Sequence, residues 1–161
     1  MTDYPGSSGG RSMYLVAWIF FFGLMMLFFY YYGKAEDGQY QIQRGSLTIK
    51  ADRHGHYRVP GNINGVPVKF MLDTGATLVA VPQALADQLG LQSLYPTTLQ
   101  TASGNITGYL TRLNSLRFAN FNLTNVKAVI IPTPDNTVLL GMNVLSQFLI
   151  SQEDGKLLIK K

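Results

Sequence analysis

An uninterrupted apolar segment near the beginning of the chain places the strongest constraint on its fold. From Met13 to Tyr32, 19 of 20 residues are apolar or aromatic, and no charged residue lies between Arg11 and Lys34. As an α-helix rising roughly 1.5 Å per residue, this segment is about 30 Å long, which matches the hydrocarbon thickness of a bilayer. The segment therefore predicts a transmembrane helix.

Aromatic residues at both ends support a membrane span, because rings with polar edges suit the water–lipid interface. They include Tyr14 and Trp18 at one end and the tyrosines at 30–32 at the other. A buried core helix is one alternative, but so small a domain could hardly enclose a helix that is apolar on every face. A cleaved signal peptide is another, since Gly33 and Ala35 suit a signal peptidase. The apolar run is long for a signal peptide, so we expect an uncleaved anchor.

The remaining residues divide into a tail, a linker and one domain. Residues 1–12 are rich in Gly and Ser and are expected to be disordered, ahead of the span over 13–32. Residues 33–45 are predicted to be a polar linker. Residues 46–161 have the size of a single domain.

Composition excludes several classes of protein. The chain has no cysteine, which rules out a disulfide scaffold, a thiol enzyme and cysteine-ligated zinc or iron–sulfur sites. Its net charge is +4, but the basic residues are scattered singly apart from Lys160 and Lys161. A nucleic-acid surface needs clustered charge and aromatic platforms, so no nucleic-acid partner is expected. His54 and His56 have no further histidine to complete a metal site, and we interpret them as hairpin residues.

Short alternating segments predict a mostly antiparallel, all-β barrel or sandwich with one or two short helices. The Asn-Gly pair at 64–65 is the strongest hairpin signal and leads into a strand at 66–72. A short helix is predicted at 82–89, closed by Gly90, and a second one before Phe148. Further strands are expected at 47–51, 56–59, 99–102, 106–110, 111–118, 121–131, 138–140, 149–152 and 156–160.

The candidate chemistry follows the strand at 66–72, where the sequence continues with Asp73, Thr74 and Gly75. A carboxylate in this position stands at the edge of a hydrophobic core, where its charge is costly. The tripeptide occurs by chance in about 3% of chains of this length, so by itself it does not define a function. A turn carboxylate or a helix cap is the less favoured alternative for Asp73.

The context of Asp73 makes the motif specific. A second apolar-apolar-glycine motif at a strand-to-helix junction consists of Leu139, Leu140 and Gly141. Its glycine lies 68 residues after Asp73 (141 minus 73), and the glycine-tipped segment 101–104 lies between them. With these motifs, the region 58–161 resembles the retropepsin-type aspartic proteases, most closely their bacterial membrane-anchored members.

The resemblance implies a small retropepsin-like β-barrel lobe that hydrolyses peptide bonds without a metal or cofactor. In such enzymes two facing carboxylates share one proton, so that one activates a water and the other protonates the scissile carbonyl. This chain has one Asp-Thr-Gly and is too short for two lobes. The resemblance therefore implies a C2 homodimer with Asp73 of each copy at the axis.

The resemblance also implies roles for the neighbouring residues. Thr74 would hydrogen-bond across the dimer axis, Gly75 would donate its N–H to the catalytic carboxylate, and Ala76 would be small enough not to crowd the pair. A flap closing over an extended peptide is expected to contain Ser103, Gly104 and Asn105.

One departure from the viral members concerns how the dimer is braced. Those members carry an Asp after the Ala and an Arg after the second Gly, and the two side chains pair. Thr77 and Met142 occupy these positions here. Because both charged side chains are absent from this chain, no unpaired charge is left at these positions.

The anchor and the resemblance together imply a single-pass protein of the bacterial inner membrane with a periplasmic domain. We expect an aspartic endopeptidase that cleaves membrane-proximal proteins. The alternative is a catalytically inactive, membrane-tethered β-domain that binds peptides or scaffolds an envelope assembly. Basic residues beside the span weakly favour a cytoplasmic domain, but large domains cross membranes largely regardless of charge.

Overall fold

The computed structural model describes residues 9–32, 39–43, 45–101 and 104–161. It divides into two units, Met1–Glu36 and Asp37–Lys161. The elements, in chain order, are α1 (Gly9–Tyr32), β1 (Tyr40–Gln43), β2 (Ser46–Lys50), β3 (Arg58–Ile63), β4 (Val66–Leu72), β5 (Val79–Pro82), α2 (Gln83–Gln88), β6 (Pro96–Thr101), β7 (Gly104–Phe118), β8 (Phe121–Ile131), β9 (Thr137–Leu140), α3 (Met142–Leu145), β10 (Leu149–Glu153) and β11 (Lys156–Lys160).

The described residues of the first unit form the helix α1. Its segment Met13–Tyr32 is 20 residues long, and its large apolar side chains are exposed throughout. The helix is long and apolar enough to cross a membrane, although a signal sequence near an N-terminus has the same length and composition.

The second unit is built around a seven-stranded sheet in the order β3-β4-β9-β5-β8-β7-β6. β3 also pairs with β7, so six of these strands close into a barrel and β6 extends it. At this closure a Cβ on Gly61 would overlap the Arg117 carbonyl oxygen, so the two backbones approach closely because Gly61 has no side chain. The barrel confirms the predicted all-β fold. Its fully buried side chains include Ile63, Phe70, Leu113, Leu116, Phe118, Ile130 and Leu140.

A four-stranded antiparallel sheet, in the order β1-β2-β11-β10, forms the remainder of this unit. Leu47 and Ile49 of β2 lie opposite Ile159 and Leu157 of β11, and all four side chains are buried. Because they alternate with polar residues, one face of this sheet belongs to the hydrophobic core.

Strand β1 lies inside the segment 33–45, which the sequence predicts to be a linker. Its Tyr40 and Ile42 lie opposite Ile49 and Leu47 of β2. A four-residue strand with only two apolar residues is too short for alternation to identify it, and its pairing with β2 creates the strand.

The hairpin and helix signals agree with the structure. Asn64 and Gly65 have φ angles of 50° and 86°, and the turn they form joins β3 to β4. Left-handed backbone at both turn positions matches the right-handed twist of the flanking strands. Helix α2 lies within the predicted range 82–89, and Gly90 follows it with φ of 62°.

One strand is longer than the sequence pattern predicts. Residues 106–110 and 111–118 belong to the single 15-residue strand β7, and its partner β6 already begins at Pro96. Along β7 the buried positions change from even to odd numbers between Gly108 and Thr111 and return to even numbers at Leu116. The first of these changes lies where the sequence pattern predicts a boundary between two strands, although the backbone is continuous.

Candidate active site

Parallel strand pairing brings the two sequence motifs together. β4 and β9 run parallel with Leu72 beside Leu140, and the Asp73 N–H donates to the Leu140 carbonyl at 3.1 Å. The strands therefore end side by side, and Asp73 and Gly141 are the residues that follow them. β5 and β8 form a second parallel pair in a sheet that the sequence predicts to be mostly antiparallel. Alternation within single strands does not distinguish these directions.

The turn after β4 holds the Asp73 carboxylate in place. The Gly75 N–H donates to Oδ1 of Asp73 at 2.8 Å, and the Ala76 N–H donates to the Asp73 carbonyl at 3.2 Å. A Cβ on Gly75 would lie 3.2 Å from the same carboxylate oxygen, which is a tight contact. Asp73 is half-buried, so its carboxylate is both positioned by the backbone and open to an incoming molecule.

The remainder of this turn is tied to the beginning of α3. The carbonyl of Ala76 accepts a hydrogen bond from the Met142 N–H at 2.7 Å, and that of Thr77 accepts one from the Asn143 N–H at 3.0 Å. The side chains of Thr74 and Thr77 are exposed. The backbone thus joins the two motifs, and the exposed side chains of the Asp73 turn are uncharged.

Gly141 is required for space at this junction. Its φ is −84°, which any residue adopts. A Cβ there would overlap the Leu78 carbonyl oxygen and lie 2.8 Å from that of Ala76. The glycine of the second motif therefore allows the Asp73 turn to pack directly against the backbone between β9 and α3.

Asn143 is a site residue that the sequence analysis did not single out. Its Oδ1 accepts a hydrogen bond from the Val79 N–H at 3.1 Å, and its Nδ2 donates to the Lys127 carbonyl at 2.8 Å. One amide therefore links α3 to β5 and β8. In the sequence Asn143 is only an amide residue in the first turn of the helix after the second motif, and this does not identify it, because both of its bonds join distant segments.

Two of the three residues expected in the flap, Gly104 and Asn105, lie in the hairpin of β6 and β7. Gly104 has φ of 117° and lies opposite Thr101, whose hydroxyl donates to the Gly104 carbonyl at 2.7 Å. Asn105 is exposed and lies opposite Gln100. Ser103 lies outside the described residues. The structure thus places Gly104 and Asn105 in a hairpin separate from the Asp73 turn.

The two histidines lie in a turn organised by Asp52. The backbone N–H groups of His54 and His56 donate to its Oδ1 at 2.8 and 2.9 Å. The hydrogen bond from the His56 N–H is the main reason why the pKa of Asp52 lies below its ordinary value, whereas burial acts to raise this pKa. The next carbonyl, that of Tyr57, accepts from the Leu72 N–H at 3.0 Å and so contacts the end of β4. Among the described residues, no group of three or more acidic or histidine side chains is arranged to hold a metal ion.

Comparison with solved structures identifies the class of protein that this fold and site define. The crystal structure of a retropepsin-like aspartic protease from Rickettsia conorii matches with a TM-score of 0.63 and 28% sequence identity. The match covers 76% of this chain and 94% of that chain. The barrel with its Asp73 turn is a retropepsin-like aspartic protease fold.

Sequence comparison assigns the family. A family model described as gag-polyprotein putative aspartyl protease matches residues 59–147, more than half of the chain, and the chain belongs to this family. Uncharacterized protein RP867 of Rickettsia prowazekii (strain Madrid E) is 32% identical over 124 residues, which are 75% of this chain and 53% of that protein. The chain thus spans about half the length of this relative. EIAV protease complexed with the inhibitor HBY-793 has 19% identity and a TM-score of 0.48, covering 57% of this chain and 86% of that chain.

Proposed function

We propose that this chain is a membrane-anchored aspartic endopeptidase that is active as a homodimer. The observation that carries the proposal is the accessible Asp73 carboxylate, held by the Gly75 N–H at 2.8 Å in a chain of an aspartic protease family. The segments 73–77 and 139–143 contain no second carboxylate. Because the chemistry needs two carboxylates that share a proton, a second copy completes the site.

The surface around Asp73 suits a symmetric partner. Thr74 and Thr77 are exposed, and 37% of the surface of Met142 is accessible to solvent. A two-fold axis beside Asp73 brings this uncharged patch against its own copy, so no unpaired charge is buried apart from the carboxylates themselves. The pair of carboxylates then tolerates one negative charge and one proton.

Hydrolysis follows from this pair. The ionised carboxylate removes a proton from a water, whose oxygen attacks the scissile carbonyl carbon while the protonated carboxylate donates its proton to the carbonyl oxygen. Collapse of the tetrahedral intermediate breaks the C–N bond: the carboxyl group that took the proton of the water gives it to the leaving amine, and the other carboxylate takes back a proton from a hydroxyl group of the intermediate. Gly75 holds the carboxylate, Thr74 joins the two loops across the axis, and the β6–β7 hairpin covers an extended substrate.

The anchor is the second part of the proposal. The segment Met13–Tyr32 would keep the protease domain at the periplasmic face of a bacterial inner membrane and direct it to membrane-proximal proteins. Anchoring also raises the local concentration of protomers and favours their dimerisation. Intact-mass measurement of the protein in the membrane fraction tests whether the anchor is retained. An uncleaved anchor keeps the mass of residues 13–32, whereas cleavage of a signal sequence removes it.

The activity is tested by incubating the full chain in detergent micelles with a peptide library, with and without an inhibitor of aspartic proteases. We expect cleavage by the wild type and a loss of at least about 1,000-fold in kcat/KM for Asp73→Asn. Asp87→Asn is the control, because the Asp87 carboxylate accepts a hydrogen bond from the Gln83 side chain on α2 and has no role in the proposed site. A folded, dimeric wild type that cleaves nothing would favour the alternative of an inactive, peptide-binding β-domain.

Mixing tests the shared site directly. If each active site needs Asp73 from both copies, equal amounts of wild-type and Asp73→Asn chains exchanged to equilibrium leave about one quarter of the pairs active. Chains that carry independent sites instead keep half of the activity. Retention of half would contradict the homodimeric dyad without contradicting proteolysis.

A further inference from the structure

A groove of about 480 Å³ lies between the first half of β8 and the segment around α3. It is lined by residues 121–127 and by Asn143, Gln147, Phe148 and Lys161. We refer to it as the β8 groove. Neither Asp73 nor its turn lines it, although Asn143, which supports that turn, belongs to the lining, so the groove adjoins the candidate active site.

The strand that lines the β8 groove has a free edge. β8 pairs with β7 from Phe121 to Ile130, but its other side pairs with β5 only from Ala128 to Ile131. Among the described strands, none pairs with that side of residues 121–127. The Lys127 carbonyl accepts the Asn143 amide, so the free edge extends over residues 121–126. At about 3.3 Å per residue it is about 20 Å long, enough for a six-residue strand.

The β8 groove is also basic. Lys127 and Lys161 are exposed on its lining, no Asp or Glu lines it, and neither lysine pairs with a described carboxylate. Arg112 of β7 lies directly opposite Lys127 and adds a third positive charge beside the groove. An acidic occupant would therefore meet positive charge that the described residues do not neutralise.

The middle of the edge is locally distorted. Asn125 has φ of 54°, in the left-handed region that non-glycine residues rarely adopt. Its Oδ1 accepts a hydrogen bond from Nη1 of Arg112 at 2.8 Å. The distorted backbone is thus fixed by the same arginine that contributes to the basic surface.

We propose that the β8 groove binds an extended, acidic segment of a partner protein, which adds as a strand to the free edge of β8. The free edge supplies backbone hydrogen-bonding groups on both sides of the distorted Asn125, and the lysines select for acidic side chains. The row of backbone groups favours a peptide over a lipid headgroup, which offers no matching repeat. The proposal does not rest on proteolysis.

The test measures binding of fluorescein-labelled peptides to the full chain in uncharged detergent micelles. The chain carries Asp73→Asn so that no peptide is cleaved. The peptides are Glu-Val-Glu-Val-Glu-Val-Thr, its counterpart with Lys in place of Glu, and the acidic peptide N-methylated at consecutive residues, so that both of its edges are blocked. We expect the unmodified acidic peptide to bind at least about tenfold more tightly than either other peptide, and its affinity to fall with added salt.

Charge reversal locates the binding. The double change Lys127→Glu and Lys161→Glu should weaken binding of the acidic peptide by about tenfold or more. The double change Lys50→Glu and Lys156→Glu, at exposed positions on β2 and β11 outside the groove, should stay within about twofold of the parent. The two double variants change the net charge equally, so their comparison distinguishes the groove from general electrostatic attraction.

Four results would overturn the proposal. Equal affinity for the N-methylated peptide would exclude strand addition, and equal affinity after the charge reversal of Lys127 and Lys161 would exclude the β8 groove. Competition by phosphatidylglycerol vesicles, with no saturable peptide binding, would assign the surface to lipid. Loss of peptide binding as the protein is concentrated into its dimeric range would show that a second copy covers the groove.

Discussion

The side-chain oxygen of Asn143 accepts a hydrogen bond from the Val79 N–H at 3.1 Å and so joins segments 64 residues apart in the chain. The amide nitrogen of the same side chain donates to the Lys127 carbonyl at 2.8 Å. Because Val79 begins the strand that follows the Asp73 turn, this residue positions the candidate active-site loop without belonging to it.

Replacing Asn143 with Ala should therefore destabilise the domain by about 2 kcal/mol, because the buried Val79 N–H loses a partner. It should also lower kcat/KM, because the Asp73 turn is less well positioned. Asn143→Asp keeps an acceptor for Val79 but loses the donor to Lys127, so an intermediate stability is expected. Gln147→Ala, which removes only the exposed bond to the Asn143 carbonyl, is the control. Urea unfolding followed by circular dichroism measures all three, and equal stability of N143A and Q147A would contradict the assigned role.

Gly141→Ala tests the packing between the two motifs. The added methyl group would overlap the Leu78 carbonyl and crowd that of Ala76, and backbone atoms do not move aside cheaply. We expect a loss of at least about 2 kcal/mol in the free energy of unfolding. Gly23→Ala adds the same methyl group where no atom lies within 4 Å, and it should leave the β domain unchanged. A fully stable G141A variant would show that the junction is looser than described.

The Asp52 turn should make the stability of the domain depend on pH in the acidic range. The hydrogen bonds from the His56 and His54 N–H groups and the charge of Arg58 favour the ionised form of Asp52. Nε of Arg58 lies 3.1 Å from Oδ2 of Asp52, which is an ion-pair distance, although Nε makes no hydrogen bond. Since the pKa is lower in the folded than in the unfolded state, this stabilisation is present above about pH 4 and is lost as pH falls through the folded pKa. Wild type should exceed Asp52→Asn in stability at neutral pH and lose that advantage in acid. A difference in stability between the two proteins that stays constant across the acidic range would contradict this assignment.

The proposed shared proton sets the pH dependence of hydrolysis. Once both Asp73 carboxylates of a dimer are ionised, neither can protonate the scissile carbonyl, so kcat/KM should fall on the alkaline side of a mildly acidic optimum. The profile is measured with one peptide at pH values where sedimentation shows an intact dimer. A rate that rises steadily into the alkaline range would exclude this mechanism.

Local patterns predicted much of the fold. Asn64 and Gly65 marked a hairpin, and Gly90 marked the end of a helix, because these residues have conformational requirements that act within a few positions. Strand β1 and the continuity of β7 were not predicted, since both depend on pairing partners distant in the chain. The Asp73 motif and the second glycine motif were recognisable in the sequence, whereas Asn143 was not, because its two bonds exist only after α3 packs against β5 and β8.

The sequence alone determined that the chain combines a 20-residue apolar segment with a β-rich domain and one Asp-Thr-Gly, because composition, alternation and turn residues act locally. Only the tertiary structure decided that β4 and β9 run parallel, so that the Asp73 N–H meets the Leu140 carbonyl. It also decided that Gly141 leaves space for the Leu78 carbonyl and that β8 keeps a free, basic edge. These features depend on contacts between distant residues, and such contacts form only when the barrel closes.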